Sequence, residues 1–523
     1  MRYSLFLFIT ILTVSLTSCR KDFDFQQSTG GLVFSKDTIY LDTVFTNIGS
    51  STYTLKVYNR SDDDISIPQI KLGKGLDSKY RITVDGMTGN NNRIFNNVEM
   101  LAKDSMYIFI ETTVDILAAN PDDFLYTDFI EFQHISGQNQ KVELITLIKD
   151  AYFLYPQRDE NGIYETIPIG DDEIYGFILD ENDPINGNEY FWNNSKPYVI
   201  YGYAAVPANK TLVVEAGARI HFHADSGLII GNEGSIKVEG GDVSDPENPT
   251  QNSVIFEGDR LEPMFENVPG QWGTIWISQG SKENEFRNFI LKNATVGLLI
   301  TGNSGYGTTP DITLHNVQIY NSSNVGILAR TGHIEGTNVV INRAGQAAFA
   351  GSYGGKYKFT HSTFNNNWQS SRQVSVLLDN YIEGAQPETQ PLVEATFHNC
   401  IIYGSNQNQL YLDKRNTETF NYYFNHCLIK FNNINNQFSN HELYQFTSED
   451  SEHYNQILLA TNSAINNPKF LNVGSNKLMI NEESAAIGIG DNNYYIERDI
   501  LNIVRTSPPD LGAYQNTPFP EAD

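Results

Sequence analysis

Cysteine, helix-forming runs and positive charge are all scarce in this chain. Only three cysteines occur in 523 residues, which excludes a disulfide-dense scaffold. Segments of Ala, Leu, Glu and Lys at helical spacing are missing, whereas 30 Phe and 29 Tyr accompany short bursts of Val, Ile, Thr and Asn. That composition predicts an all-β protein. One apolar run, Leu5 to Leu16, is shorter than the ~20 residues of a membrane-spanning helix, and no second run follows. Basic residues number 35 against 62 acidic ones, a net charge of −27. A field of that sign repels nucleic acid and polyanionic sugars such as pectate or alginate, and it keeps a protein soluble on a crowded surface. The length predicts two or three domains.

What is present begins at the amino terminus. Arg2 supplies a basic start, the apolar run follows, and Thr17-Ser18 place small residues directly before Cys19. This arrangement resembles a bacterial lipoprotein signal, which implies cleavage before Cys19 and a lipidated, acylated cysteine. Arg20-Lys21-Asp22-Phe23-Asp24 resembles the export signal with which Bacteroidetes lipoproteins reach the outer leaflet, although Phe23 interrupts the acidic pair. The resemblance implies an outer-membrane location facing outward.

Residues 19–31 form a polar tether ending in Gly30-Gly31. From 32 to 153, period-two segments such as Thr52 to Tyr58, Tyr80 to Val84 and Ser105 to Ile110 alternate with turn signals. About seven such strands predict a β-sandwich, and the segment around Asp42 to Asn59 resembles the immunoglobulin-like spacers of exported proteins. Residues 154–195 are expected to be a linker. Its acidic stretches, Asp171-Asp172-Glu173 and Asp180 to Gly187, lack the Glu of an EF-hand loop and put Pro184 at a ligand position, so they predict solvated turns.

Between 196 and 515 the strands shorten to three to five residues, each ended by Gly, Asn or Asp, with no crossover helix between them. Such strands suit a parallel solenoid. Leu314 to Ile319, Ile334 to Val339, Phe359 to Phe364, Phe397 to Ile402 and Phe424 to Ile429 share one pattern: apolar, two polar or small, one small, then apolar alternation. Aligned on their third positions, these segments imply coils of about 20–25 residues with lateral insertions. Val206 to Gly217, Gly270-Gln271-Trp272-Gly273-Thr274-Ile275 and the closing segments Ser484 to Asp491 and Pro509 to Tyr514 resemble the right-handed parallel β-helix repeat proteins of Bacteroidetes lipoproteins. The resemblance implies that fold through 515, with 516–523 as a tail. Members of that family include lyases, hydrolases and adhesins, so fold does not settle function.

Catalytic residues do not emerge. The paired carboxylates of a glycoside hydrolase, the successive motifs of a polygalacturonase and the clustered Lys or Arg of a pectate-type lyase are not recognisable. No cofactor and no metal-ligand set is expected. His221 and His223 share one strand face at the first coil, with Asp225 after them, and read as capping or hydrogen-bonded groups rather than zinc ligands. His315, His361, His398 and His426 fall at or near one repeat position and predict a polar ladder at a turn. Cys400 and Cys427 occupy equivalent slots one coil apart, which permits a disulfide as readily as two buried thiols. Arg260, Phe265 and Trp272 bracket an excursion that offers a binding surface.

The preferred functional reading is a lipid-anchored, non-enzymatic binding or scaffold protein. Its partner is another outer-membrane protein or a surface glycan, and its membrane attachment is the lipid alone. A polysaccharide-degrading enzyme and an adhesin are the alternatives.

Overall fold

The computed structural model describes residues 24–46, 48–114, 125–302, 307–384, 387–447 and 451–519. Strands account for 48% of the residues and helix for 3%, so the class is all-β with large parallel sheets. The chain divides into two compact units, one ending at Asp150 and one starting at Ala151.

The first unit holds two sheets. One has the order Gln26–Gln27, Ile65–Leu72, Leu125–Gln133, Gln140–Lys149, Thr38–Phe45, with Ile94–Met100 also paired to Ile65–Leu72. The other runs Val33–Phe34, Tyr53–Tyr58, Ser105–Thr112, Tyr80–Val84. Alternation explains both. In Ser105–Thr112 every second residue (Met106, Ile108, Ile110, Thr112) is buried, and Met106, Ile108 and Ile110 join Leu55, Val57, Ile130 and Leu144 in one cluster fed by both sheets. Ile94–Met100 and Leu125–Gln133 are strands that the turn signals do not announce. Asp128, within Leu125–Gln133, is buried because its carboxylate accepts from Ser78 Oγ at 2.6 Å and from the Lys74 amide at 3.1 Å.

The second unit is built by successive passes of the chain, each adding strands to the same two sheets. A ten-stranded sheet runs from Thr166–Ile169 and Asp172–Ile178 through Tyr203–Val206, Gly227–Ile230, Ile275–Ile277, Val296–Thr301, Val325–Arg330, Ala347–Ser352 and Val374–Asp379 to Leu410–Asp413. Only its first two strands pair antiparallel. A nineteen-stranded sheet, parallel throughout, carries the remaining passes from Tyr152–Leu154 to Leu458–Ala460. Residues 154–195 are therefore not a linker. Tyr152–Leu154, Phe191–Trp192 and Tyr198–Ile200 pair into the large sheet, and Thr166–Ile178 starts the other. Of the acidic runs, Asp180 to Gly187 is a tight turn in which the Asp183 side chain accepts from the amides two and three residues ahead, whereas Asp172 and Glu173, expected in a solvated turn, open the strand Asp172–Ile178.

Side chains stack in register from pass to pass. Phe286, Leu314, Gly336, Phe359, Phe397, Phe424 and Tyr454 form one inward column. Its rings lie nearly parallel, with Phe397 on Phe424 at 4.8 Å and Phe424 on Tyr454 at 5.7 Å. The repeat alignment read from the sequence is displaced by two residues at one pass, because Gly336, not Ile334, occupies this column. A Cβ at Gly336 would lie 2.6 Å from the Phe359 ring, so the aromatic ring fills the place of the missing side chain and hides the position from pattern reading.

Two columns further along, the backbone turns through left-handed geometry at Asn288, Asn316, Asn338, His361, Asn399 and His426, with φ between 47° and 55°. Asn is the non-glycine residue best suited to that geometry, and its amide bonds from pass to pass: Asn316 donates to Asn288 at 2.8 Å and Asn338 to Asn316 at 2.9 Å. Residues 461–519, almost without strands, lie along this edge. Leu478, Ile500, Ala513 and Tyr514 cover Ile290, Tyr320 and Val340, and Asn399 clasps Asp491 through both backbone polar groups.

Candidate functional site

Cys19, and with it the expected lipidation site, lies outside the described residues. The other sequence-predicted positions are placed as follows. Arg260 lies over the Phe265 ring at 4.1 Å and forks onto Glu262 at 3.0 and 3.2 Å, so these two residues shape the 259–274 excursion. Trp272 corrects the expectation of a binding surface. It is 1% exposed, stacks on Phe222 at 4.3 Å and donates its indole N–H to Lys292 O at 2.8 Å. Trp276 lies on the outer face of the ten-stranded sheet with Ile229 and Ile167.

The histidines split between two adjacent registers. His361 and His426 take the left-handed turn position, while His315 and His398 lie one residue earlier. The ladder itself is asparagine, which His361 joins by accepting from Asn399 at 3.1 Å. His398 instead stacks on Tyr494 at 3.6 Å; burial and then Lys358 lower its pKa to about 4. Cys400 and Cys427 follow Asn399 and His426 in the same column, fully buried, and the bridge that their spacing permits is not formed: both are free thiols. Each thiol donates to a carbonyl, Cys400 to His398 O at 3.3 Å and Cys427 to Phe397 O at 3.4 Å. Burial and the neighbouring Cys427 thiol raise the Cys400 pKa well above the ordinary range, which leaves it a poor nucleophile.

At the first passes, His221 is 2% exposed, with Nδ1 3.1 Å from Gly258 O. His223 is half-exposed, and its Nδ1 meets the buried Asp259 carboxylate at 2.7 Å beneath the Tyr201 ring at 4.5 Å. The hydrogen bond to Asp259 raises the His223 pKa above its ordinary value. Among the described residues no group of three or more His, Cys, Asp or Glu side chains is arranged to hold a metal ion.

Beside this pair opens a cleft of about 480 Å³, lined by Ile174, Tyr175, Tyr203, Asp225, Gly273, Thr274, Thr295 and Val296. The Thr166–Ile178 hairpin supplies one wall, with Tyr175 42% exposed and edge-on to Tyr164 at 5.3 Å. No pattern in the sequence links these residues, because they come from five separate passes.

A second feature is the outer face of the ten-stranded sheet. In register across it run Leu299, Leu328, Ala350, Leu377 and Tyr411, and beside them Val296, Val325, Ala347 and Val374. Val325, Ala347 and Ala350 form a cluster with Leu328, Val374 and Leu377, drawn from this sheet alone. Leu299, Leu328, Val374 and Leu377 stay partly exposed and Tyr411 is 47% exposed. One edge is a polar column of Thr301, Arg330, Ser352, Asp379 and Asp413. The two carboxylates are adjacent, as a hydrolase pair would be, but both are occupied. Asp379 accepts from the Tyr353 amide at 2.7 Å and Ser352 Oγ at 3.2 Å, and Asp413 accepts from Tyr381 Oη at 2.7 Å.

No protein-family profile matches the chain, and no curated protein matches it. Among solved structures, the periplasmic chaperone SfaE aligns at 16% identity and TM-score 0.16 over 23% of this chain, which spans 58% of the chaperone's length. The ASH / PapD-like domain of human CEP192 aligns at 13% identity and TM-score 0.15, covering 26% of this chain and 96% of that domain. A Bacteroides ovatus GH5 xyloglucanase aligns at 8% identity and TM-score 0.13 over 59% of this chain and 71% of its own. Likeness at this level carries no argument about function.

Proposed function

We propose that this chain is a lipid-anchored outer-membrane protein, facing outward, that acts as a non-enzymatic scaffold for another outer-membrane protein. In this reading Cys19 carries the lipid, an immunoglobulin-like β-sandwich is the spacer and a right-handed parallel β-helix is the platform. The parallel pairings and in-register columns support the β-helix, and the core shared by two sheets supports the sandwich. The observation that carries the scaffold role is the apolar outer face of the ten-stranded sheet. Five strands at about 4.8 Å by some five residues at about 3.3 Å span a face on the order of 400 Å², in which Val325, Ala347 and Ala350 are themselves buried and Leu299, Leu328, Val374, Leu377 and Tyr411 are the apolar groups left open. Such a patch suits the core of a standard protein interface of ~800 Å² per partner, with the polar column as rim. It lacks the concavity and stacked aromatics that a glycan would need.

Mild detergent extraction of a tagged full-length chain tests this. The expected result is one stoichiometric outer-membrane protein that is lost when Leu328→Glu and Leu377→Glu are combined. Recovery of the chain alone, or a partner that the double variant retains, would contradict the proposal.

A further inference from the structure

We propose that the cleft walled by Tyr175 and Tyr203 is a subsite for one pyranose ring of a neutral glycan. The inference is independent of the scaffold reading, since the cleft and the apolar face share only Val296 at their border. Size comes first. A cleft of about 480 Å³ falls within the ~300–1,000 Å³ of small-molecule sites, and it is too small for a folded partner.

Chemistry narrows the occupant. The Tyr203 ring lies flat along the sheet because Gly227 and Gly273 leave room for it: a Cβ at Gly227 would collide with the ring, and one at Gly273 with the hydroxyl. Tyr175 lines the same cleft from the hairpin, one residue out of register with Tyr203, and a Cβ at Gly202 would touch its ring at 3.0 Å. Two tyrosine faces in an open cleft present C–H-accepting π surface to the apolar side of a sugar ring. Asp225, Thr274 and Thr295 also line the cleft; the Thr274 hydroxyl donates to Ile275 O at 3.3 Å and keeps its acceptor capacity, so Asp225 and Thr274 can accept from ring hydroxyls and the Thr295 hydroxyl can donate to them.

Charge then selects the sugar class. Among the described lining residues Asp225 is the one acidic or basic side chain. His223 lies near Asp225 but directs Nδ1 to Asp259. Arg158 is held over the Tyr164 ring at 4.2 Å and donates to its hydroxyl. Among the described residues no cation therefore lines the cleft, and a chain of net charge −27 repels uronic acids. For a single ring of about a dozen heavy atoms, ordinary ligand efficiency predicts a Kd on the order of 1 mM.

Saturation-transfer NMR and calorimetry on the full chain in lauryldimethylamine oxide, a detergent without a sugar headgroup, provide the test. The probes are cellohexaose, mannohexaose and xylohexaose, with trigalacturonate as the anionic counterpart. At least one neutral probe is expected to bind near 1 mM, about tenfold more weakly to Tyr175→Ala, with Tyr175→Phe restoring affinity and Asp225→Asn reducing it. Leu328→Glu with Leu377→Glu, which removes the proposed protein partner, leaves sugar binding intact. No binding of any neutral probe at 10 mM (about tenfold above the expected Kd), preferential binding of trigalacturonate, or equal affinity of Tyr175→Ala and the parent would each overturn the proposal.

Discussion

Asn399→Ala is the substitution that most strains this architecture. Asn399 is fully buried at φ 55°. Its amide donates to His361 Nε2 at 3.1 Å and Asp491 O at 3.0 Å, and its carbonyl oxygen accepts from the Asp491 amide at 2.7 Å. Truncation leaves these partners without the side chain that satisfies them, at about 1–3 kcal/mol for each group that stays dry. A Cβ-bearing residue without the local bonding of Asn adds about 1 kcal/mol for left-handed geometry. With about two of the three groups staying dry, the expected loss is about 3–7 kcal/mol. Asn399→Gly removes the same bonds without the backbone strain, so it should be about 1 kcal/mol less damaging. All four tryptophans lie beyond residue 190, so their fluorescence during urea unfolding reports the second unit alone. Limited proteolysis of 461–519 shows whether the closing segment detaches first, as the Asp491 clasp requires. Losses below about 1 kcal/mol for both variants, or Ala no worse than Gly, would refute the reasoning.

Two further outcomes follow. His398 has its folded pKa lowered to about 4 from 6.5 by burial and Lys358, so the unfolded chain binds the proton more readily. Stability is complete above pH 6.5 and falls as pH drops toward 4, by about 3 kcal/mol for this group. His398→Phe, which keeps the stack on Tyr494, should flatten that part of the acid limb in urea titrations at successive pH values; an unchanged slope would contradict the assignment. Thiol labelling without reductant should detect Cys400 and Cys427 only after denaturation, as two free thiols, whereas unlabelled denatured protein would mean that they are bridged.

The parts of the fold that repeat were legible in the sequence, and those that depend on a missing side chain were not. Phe359, Phe397 and Phe424 announce their shared column because each has a ring, but Gly336 holds the same place with no side chain, so the eye slides to Ile334. The polar ladder was visible through its histidines, although asparagine does most of the bonding. Asn looked like a turn residue, and its left-handed geometry is what links one pass to the next. Residues 154–195 resembled a linker because their strands are short and their turns acidic. The cleft was illegible because Tyr175, Tyr203, Asp225, Gly273 and Thr295 meet only after the chain has closed several passes. Trp272 misled for the opposite reason: an aromatic flanked by glycines next to an excursion reads as exposed, yet it fills the core beneath.

Photocrosslinking in the native membrane tests the scaffold claim most directly. A photoreactive amino acid at position 328 or 377, on the apolar face, should capture one and the same outer-membrane protein, while one at the exposed Ile163, in the turn before the hairpin, should not. Capture of that protein from both sheet positions is the predicted result. No adduct at either position, or the same adduct from Ile163, would contradict the account.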